Sequence, residues 1–246
     1  MQKFIPLCIP NFEGNEKKYV DDALEQGWVS TGGAYITKLE QSMAEFLHVE
    51  NVAACQSGTS ALHLSLIEAG VNPGDVVIVP PLTFIAAVNP VKYQFATPVF
   101  MDCDDSFCMD PVKLKRFLEQ ECTYTEGKLL YKGNQVKAMV VVHVFGNLAD
   151  MPAIMKLAEK YGIKVIEDAT EALGNIQKVF MQVNTQEPLV TLEHFPLTGT
   201  RLLQPVAEGL LQPRMLRKWI TSDIFQRRLK MIPIITYIMR SDIIIA

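Results

Sequence analysis

"AMVVVHVFGNLADMPAIMKLAEKYGIKVIED", residues 138–168, decides how this chain folds. Residues 138–146 form a Val-rich apolar run of strand length, 150–162 read as a helix, and 163–168 as a second strand. A strand, a helix and another buried strand in succession make a parallel crossover unit, whose strands are covered on both faces and so lack polar alternation. Upstream the same grammar repeats. Residues 15–27 and 35–49 have helical spacing, with Tyr19, Val20, Ala23 and Leu24 on one face of the first and Leu39, Met43, Phe46 and Leu47 on the second. Residues 51–70 give a short strand, a tight turn and a helix that stops at Gly70; 75–84 and 97–104 give strands, the first entering a Pro-rich loop. Residues 110–121 give a helix with Pro111 in its first turn. Strands alternating with helices imply an α/β domain around a largely parallel sheet.

The chain has 246 residues, 49% of them hydrophobic, and a formal charge of −4. That is the composition of a globular protein with a real core, and its charge argues against a nucleic-acid partner. The first sixteen residues contain no apolar signal-peptide core, and Arg240 and Asp242 interrupt the apolar terminal stretch, so a cytoplasmic protein without membrane attachment is expected. Five cysteines (Cys8, Cys55, Cys103, Cys108, Cys122) with no CxxC pair fit reduced thiols, and no metal site is expected.

In a parallel sheet, ligands gather at the carboxyl ends of the strands. Those ends carry "QSGTSA", "PPLTF", "HVFGN" and "EDATEA". In "SGTS" (57–60), Gly58 allows a tight turn and the following helix presents free N–H groups, which suits a phosphate; a plain N-cap by Ser57 or Thr59 explains the same residues. Asp168 at its strand end suits a metal, a base or a protonated ring nitrogen, or simply a cap or a surface acid. Glu167 points to the opposite face, so the two acids do not form a catalytic pair. Phe84 could cover a flat ligand or fill core, and His143 after three valines reads as a buried, hydrogen-bonded histidine.

Taken in order, "IPLCIPNF…GWVSTGG", "SGTSALHLSL", "PPLTFIAAVNPV", "PVFMDCD", "VVHVFGN" and "VIEDATEALG" resemble the DegT-type (DegT/DnrJ/StrS) sugar aminotransferases over residues 5–174, with "EDATEALG" closest in form to the legionaminic-acid-type subgroup. The resemblance implies a fold type I, pyridoxal-phosphate (PLP)-dependent transferase: an αβα large domain around a mostly parallel sheet. It also implies amination of nucleotide-linked 4-keto(-6-deoxy) sugars for surface glycans, with glutamate as donor, by a homodimer. By the same resemblance Gly58, Thr59 and Ser60 match the phosphate-binding turn, Phe84 the aromatic stacked on the cofactor, and Asp168 the acid paired with the pyridine nitrogen. Glu171 stands where many relatives have Gln or His near the cofactor, and Trp28, Ser30 and Thr31 match a substrate loop at the site's rim.

Behind Gly174 the pattern breaks. Residues 1–174 hold 14 Lys+Arg against 22 Asp+Glu, a net of −8; residues 175–246 hold 9 against 5, a net of +4, and only Gly199 and Gly209 of the 14 glycines. The family places its Schiff-base lysine in a motif like "GDIGxFSFNGNKxxTTGGGG", which no stretch of 175–246 matches; Lys178 comes too early and Lys218 and Lys230 lack the motif. No catalytic residue is therefore assigned. Yet joining the third base of each codon to the first two of the next permits "GAFSFNGNK" from Leu192 to Arg201, then "IITTGGGG", with "FYAGKHTGTLGDI" upstream from residues 179–192. The expectation is an in-frame large-domain part, 1–174, and an out-of-frame, poorly ordered tail, 175–246, after a single-base change near codon 174. The small C-terminal domain would be missing and the product inactive. Two other readings stay open: a PLP-fold sugar 3-dehydratase relative, or a non-catalytic binding or regulatory remnant.

Overall fold

The structure is a computed structural model that describes residues 12–27, 33–47 and 52–172, and the backbone alone of 189–191 and 209–211. Two helices open it, α1 (Glu16–Glu25) and α2 (Ala34–Leu47), followed by β1 (Ala53–Cys55), α3 (Gly58–Glu68) and β2 (Val76–Val79). Next come a short α4 (Asn89–Tyr93), β3 (Thr97–Phe100) and α5 (Pro111–Gln120). The strands β4 (Cys122–Thr125), β5 (Lys128–Tyr131) and β6 (Asn134–Val142) lead to α6 (Met151–Tyr161) and β7 (Lys164–Asp168). Two further strands, β8 (Leu189–Thr191) and β9 (Gly209–Leu211), belong to the tail.

β2 pairs in parallel with β3 and β6, β6 with β7, and β7 with β8, so the expected largely parallel sheet is present. Its central strands β2, β6 and β7 are buried on both faces while β3 lies at a partly exposed edge, and the alternation of the central strands divides the core in two. Val76, Ile78, Met139, Val141 and Val165 face Leu114, Phe117 and Leu118 of α5 and Ile154, Met155 and Ala158 of α6. Val77, Val79, Ala138, Val140 and Ile166 face Leu62 and Leu66 of α3 and Val91 of α4. Burying a side chain such as Leu66 or Ile166 contributes roughly 1.5–3 kcal/mol of transfer free energy, so these two layers hold the sheet.

Residues 122–137, which carry no reading in the sequence, build an antiparallel extension. β4 pairs with β5, and β5 with the first residues of β6. Glu126–Gly127 (φ 49° and 75°) and Lys132–Gly133 (φ 49° and 83°) are both left-handed, the conformation of a two-residue hairpin turn. The strand expected over 138–146 therefore begins at Asn134, and it ends before His143, where the chain turns away. The strand expected over 75–84 is confined to Val76–Val79, because Pro80 and Pro81 cannot continue a ladder.

Helix ends follow local chemistry. Asp110 caps α5 by accepting from Val112 N and Lys113 N, and Asp150 caps α6 by accepting from Ala153 N. Gly162 closes α6 in the left-handed region (φ 67°, ψ 30°). α1 forms as expected, but Tyr19, Val20 and Leu24 stand exposed, and none of its residues is buried among the described ones. No helix among the described residues is long and apolar enough to cross a membrane. Beyond Ala172 only the β8 and β9 backbones are described, β9 antiparallel to β1, so the expectation of a poorly ordered tail otherwise lies outside the described residues.

Candidate functional site

α3 starts at the carboxyl end of β1, a strand that pairs with β9 apart from the main sheet, and Ala54 of β1 packs against Ala169, the residue after Asp168. That contact brings the start of α3 beside the carboxyl end of β7, on the edge where the loops after the parallel β2 and β6 also emerge. Ser57 caps it: its Oγ accepts the Ser60 N–H at 3.2 Å and lies 2.9 Å from Ser60 Oγ, while Ala61 N–H reaches Ser57 O. The cap and the anion site coexist. Among the described residues the N–H groups of Gly58 and Thr59 have no partner, and with the helix dipole they make an end that can receive an anion.

Asp168 ends β7 on the α3 side of the sheet, in step with Ile166, and is only 7% exposed. Its Oδ1 accepts from the N–H and the hydroxyl of Thr170, a local turn that a D-x-T spacing would have signalled. Oδ2 has no partner among the described residues. Burial raises the Asp168 pKa above the ordinary carboxylate value, with the Thr170 bonds working the other way. A buried carboxylate with one oxygen unpartnered calls for a cationic donor, and a protonated ring nitrogen meets that need. The surface-acid alternative for Asp168 is thereby removed.

Phe84, after β2, is 74% exposed, which removes the core-packing alternative and leaves its ring face free at the same edge of the sheet. Glu171 is not free: its Oε2 accepts the Phe145 N–H at 2.5 Å and holds that residue in a left-handed conformation (φ 57°, ψ 23°). Phe145 had no signal in the sequence; it is 70% exposed and meets Phe107 edge to face at 6.2 Å. Trp28, Ser30 and Thr31 lie outside the described residues.

His143 is fully buried, as its sequence context suggested. Its Nε2 is 2.6 Å from Glu167 Oε1, and its Nδ1 accepts the Ala149 N–H at 3.1 Å. Burial disfavours the imidazolium, but contacts with Cys108 and Glu167 outweigh it and raise the His143 pKa to about 9; the Ala149 N–H aimed at Nδ1 opposes that second proton. The Ala149 N–H settles the tautomer, because a proton on Nδ1 would set two N–H groups head to head. The proton is on Nε2, which donates to Glu167.

An open helix N-terminus, an exposed aromatic and a buried acid on one sheet edge agree with what residues 10–179 match. Residues 10–179 match the DegT/DnrJ/EryC1/StrS aminotransferase family. The chain belongs to that family. It is 41% identical over 176 residues to a GDP-perosamine synthase of Escherichia coli O157:H7, covering 72% of this chain and 45% of that protein. It is 37% identical over 176 residues to the spore coat polysaccharide biosynthesis protein SpsC of Bacillus subtilis, covering 71% of this chain and 41% of that one. The chain thus spans less than half the length of these relatives. Among solved structures, NtdA of Bacillus subtilis with bound cofactor PMP superposes with a TM-score of 0.64 at 28% identity, covering 80% of this chain and 40% of that one. An aminotransferase from Psychrobacter cryohalolentis superposes with a TM-score of 0.66 at 26% identity, covering 87% and 51%. The fold type I large domain expected from the sequence is the fold found.

Proposed function

We propose that residues 1–174 carry the cofactor-binding part of a PLP-dependent aminotransferase of nucleotide-linked 4-keto(-6-deoxy) sugars, serving surface polysaccharide biosynthesis. The donor is glutamate, and the working form is a cytoplasmic homodimer. The observation that carries this reading is the buried, half-partnered Asp168 carboxylate on the same sheet edge as the open N-terminus of α3. Family membership and the named activities of the relatives support it.

In this reading Gly58 and Thr59 N–H groups, with the Ser60 hydroxyl, hold the phosphate. Phe84 covers one face of the ring and sets its plane. Asp168 Oδ2 keeps the proton on the ring nitrogen. The bound cofactor supplies an electron sink for the substrate carbon that exchanges its amine. Glu171 acts from the side by fixing the Phe145 turn at the rim.

We further infer that the chain is catalytically incompetent, because reaction at the cofactor needs a lysine to hold it and to move protons, and residues 175–246 offer none in the family motif. The offset recovered from Leu192 to Arg201 corresponds to one base missing from the gene. A family match ending at residue 179, a few residues past Gly174, supports that reading.

Titration of the 246-residue chain with pyridoxamine phosphate tests the site. Saturable binding that Asp168→Asn weakens by about tenfold or more is expected, as for loss of a charged hydrogen bond. Equal affinity in both forms overturns the assignment. Reading the coding DNA through codons 170–205 tests the frame: a gene with no family-like sequence in the adjacent frame overturns the lesion.

A further inference from the structure

We propose that Glu167, acting through His143, is a positioning residue that sets where the Asp168 carboxylate stands; the inference rests on the cofactor role of Asp168 given above. Glu167 and His143 side chains are 1% and 0% exposed, on the α5–α6 side of the sheet, opposite Asp168. A buried carboxylate on a single imidazole is an expensive way to fill core volume, and an apolar pair would do so at lower cost. What the polar pair adds is direction.

His143 grips the end of β7 twice. Its side-chain Nε2 donates to Glu167, and its main-chain N–H donates to Asp168 O at 3.0 Å. Its remaining ring nitrogen is held by Ala149 N–H, immediately before the α6 cap, so the imidazole cannot turn without breaking a bond to rigid structure. Successive strand side chains point to opposite faces. Holding Glu167 on one face therefore fixes the rotation of β7 about its own axis, and with it the direction of Asp168 on the other. Cys108 reinforces the same loop by donating to Asn147 O at 3.3 Å, and Asn147 donates to Ser106 O at 2.9 Å. Released from Glu167, the strand end gains freedom that misplaces Oδ2 relative to a ring nitrogen.

Three measurements on the 246-residue chain test this. Nitrogen-15 NMR of the His143 imidazole should show the proton on Nε2 and a bare Nδ1. Pyridoxamine phosphate labelled with nitrogen-15 in its ring should bind the native chain and Glu167→Gln alike and report a protonated ring, since a Gln amide oxygen still accepts from Nε2. Glu167→Ala should lose about tenfold or more in affinity, the size of effect that misplacement of a reacting group produces, with the ring signal shifted toward the unprotonated form. A His143 proton on Nδ1, or native affinity and ring signal in Glu167→Ala, overturns the proposal. If Glu167→Ala does not fold, tenfold loss of affinity in Glu167→Gln overturns it and native-like binding there, with the Nε2 tautomer, supports it. Unchanged affinity in Asp168→Asn would instead remove the cofactor role of Asp168, leaving the tautomer as a separate result.

Discussion

The main-chain N–H of His143, the residue after the last pair Val142–Asp168 of β6 and β7, donates to the carbonyl oxygen of Asp168 at 3.0 Å. The acid at the centre of the site is thus held by its backbone while its Oδ2 stays unpartnered among the described residues. Burial here disfavours the ionised form of Asp168, whose charge folding alone would not keep.

That charge makes stability depend on pH. Burial raises the Asp168 pKa in the folded state, so its protonation stabilises the fold at low pH, and this contribution is lost as pH rises through the folded value. Asp168→Asn keeps an acceptor for Thr170 and removes the penalty. It should be more stable than the native chain at pH 7 without cofactor, with the gain shrinking as pH falls through the raised value toward the ordinary carboxylate range. Urea midpoints across pH check this; a pH-independent difference contradicts it.

Ile166 lies directly before the two acids and is fully buried against α3. Ile166→Ala should cost about 2–5 kcal/mol in urea unfolding, the range for deleting a large aliphatic side chain from a core.

Phe84, exposed as it is, should behave oppositely. Phe84→Ala should change stability by less than about 0.5 kcal/mol, as for surface sites. It should weaken pyridoxamine phosphate binding by several-fold, the equivalent of about 1 kcal/mol of ring stacking. A large stability loss with unchanged binding would return Phe84 to a packing role.

Gly162 ends α6 at φ 67°, with nothing within 4 Å of where a Cβ would stand. Gly162→Ala should therefore cost only the backbone strain, about 1–2 kcal/mol, visible as a lower thermal midpoint.

Restoring one base between codons 174 and 179 should give a product with the "FSFNGNK" lysine. Borohydride treatment with PLP should fix cofactor to that lysine, read by mass spectrometry, whereas the present chain should give no adduct in the site. A site adduct in the present chain would contradict the loss of the lysine.

The α/β class was legible because the apolar runs at 76–79 and 138–142 lack polar alternation, which only double-sided burial explains. The hairpin over 122–131 was not, since its strands are four residues each, β4 is mostly exposed, and its turn relies on Glu126 in a left-handed conformation that non-glycine residues seldom adopt. In the candidate site, Gly58, Thr59, Ser60, Phe84 and Asp168 were readable as candidates from their places after strands, and their roles only through the family resemblance. By itself the sequence determined the alternation of strands and helices outside residues 122–137, the acid at the end of β7 and the change of pattern behind Gly174. Only the tertiary structure decided that Asp168 is buried with a bare oxygen, that Phe84 is exposed, that Glu171 is spent on Phe145, and that Glu167 and His143 meet. Those facts depend on the parallel register of β6 and β7, which brings residues 24 positions apart within 2.6 Å and which no local pattern encodes.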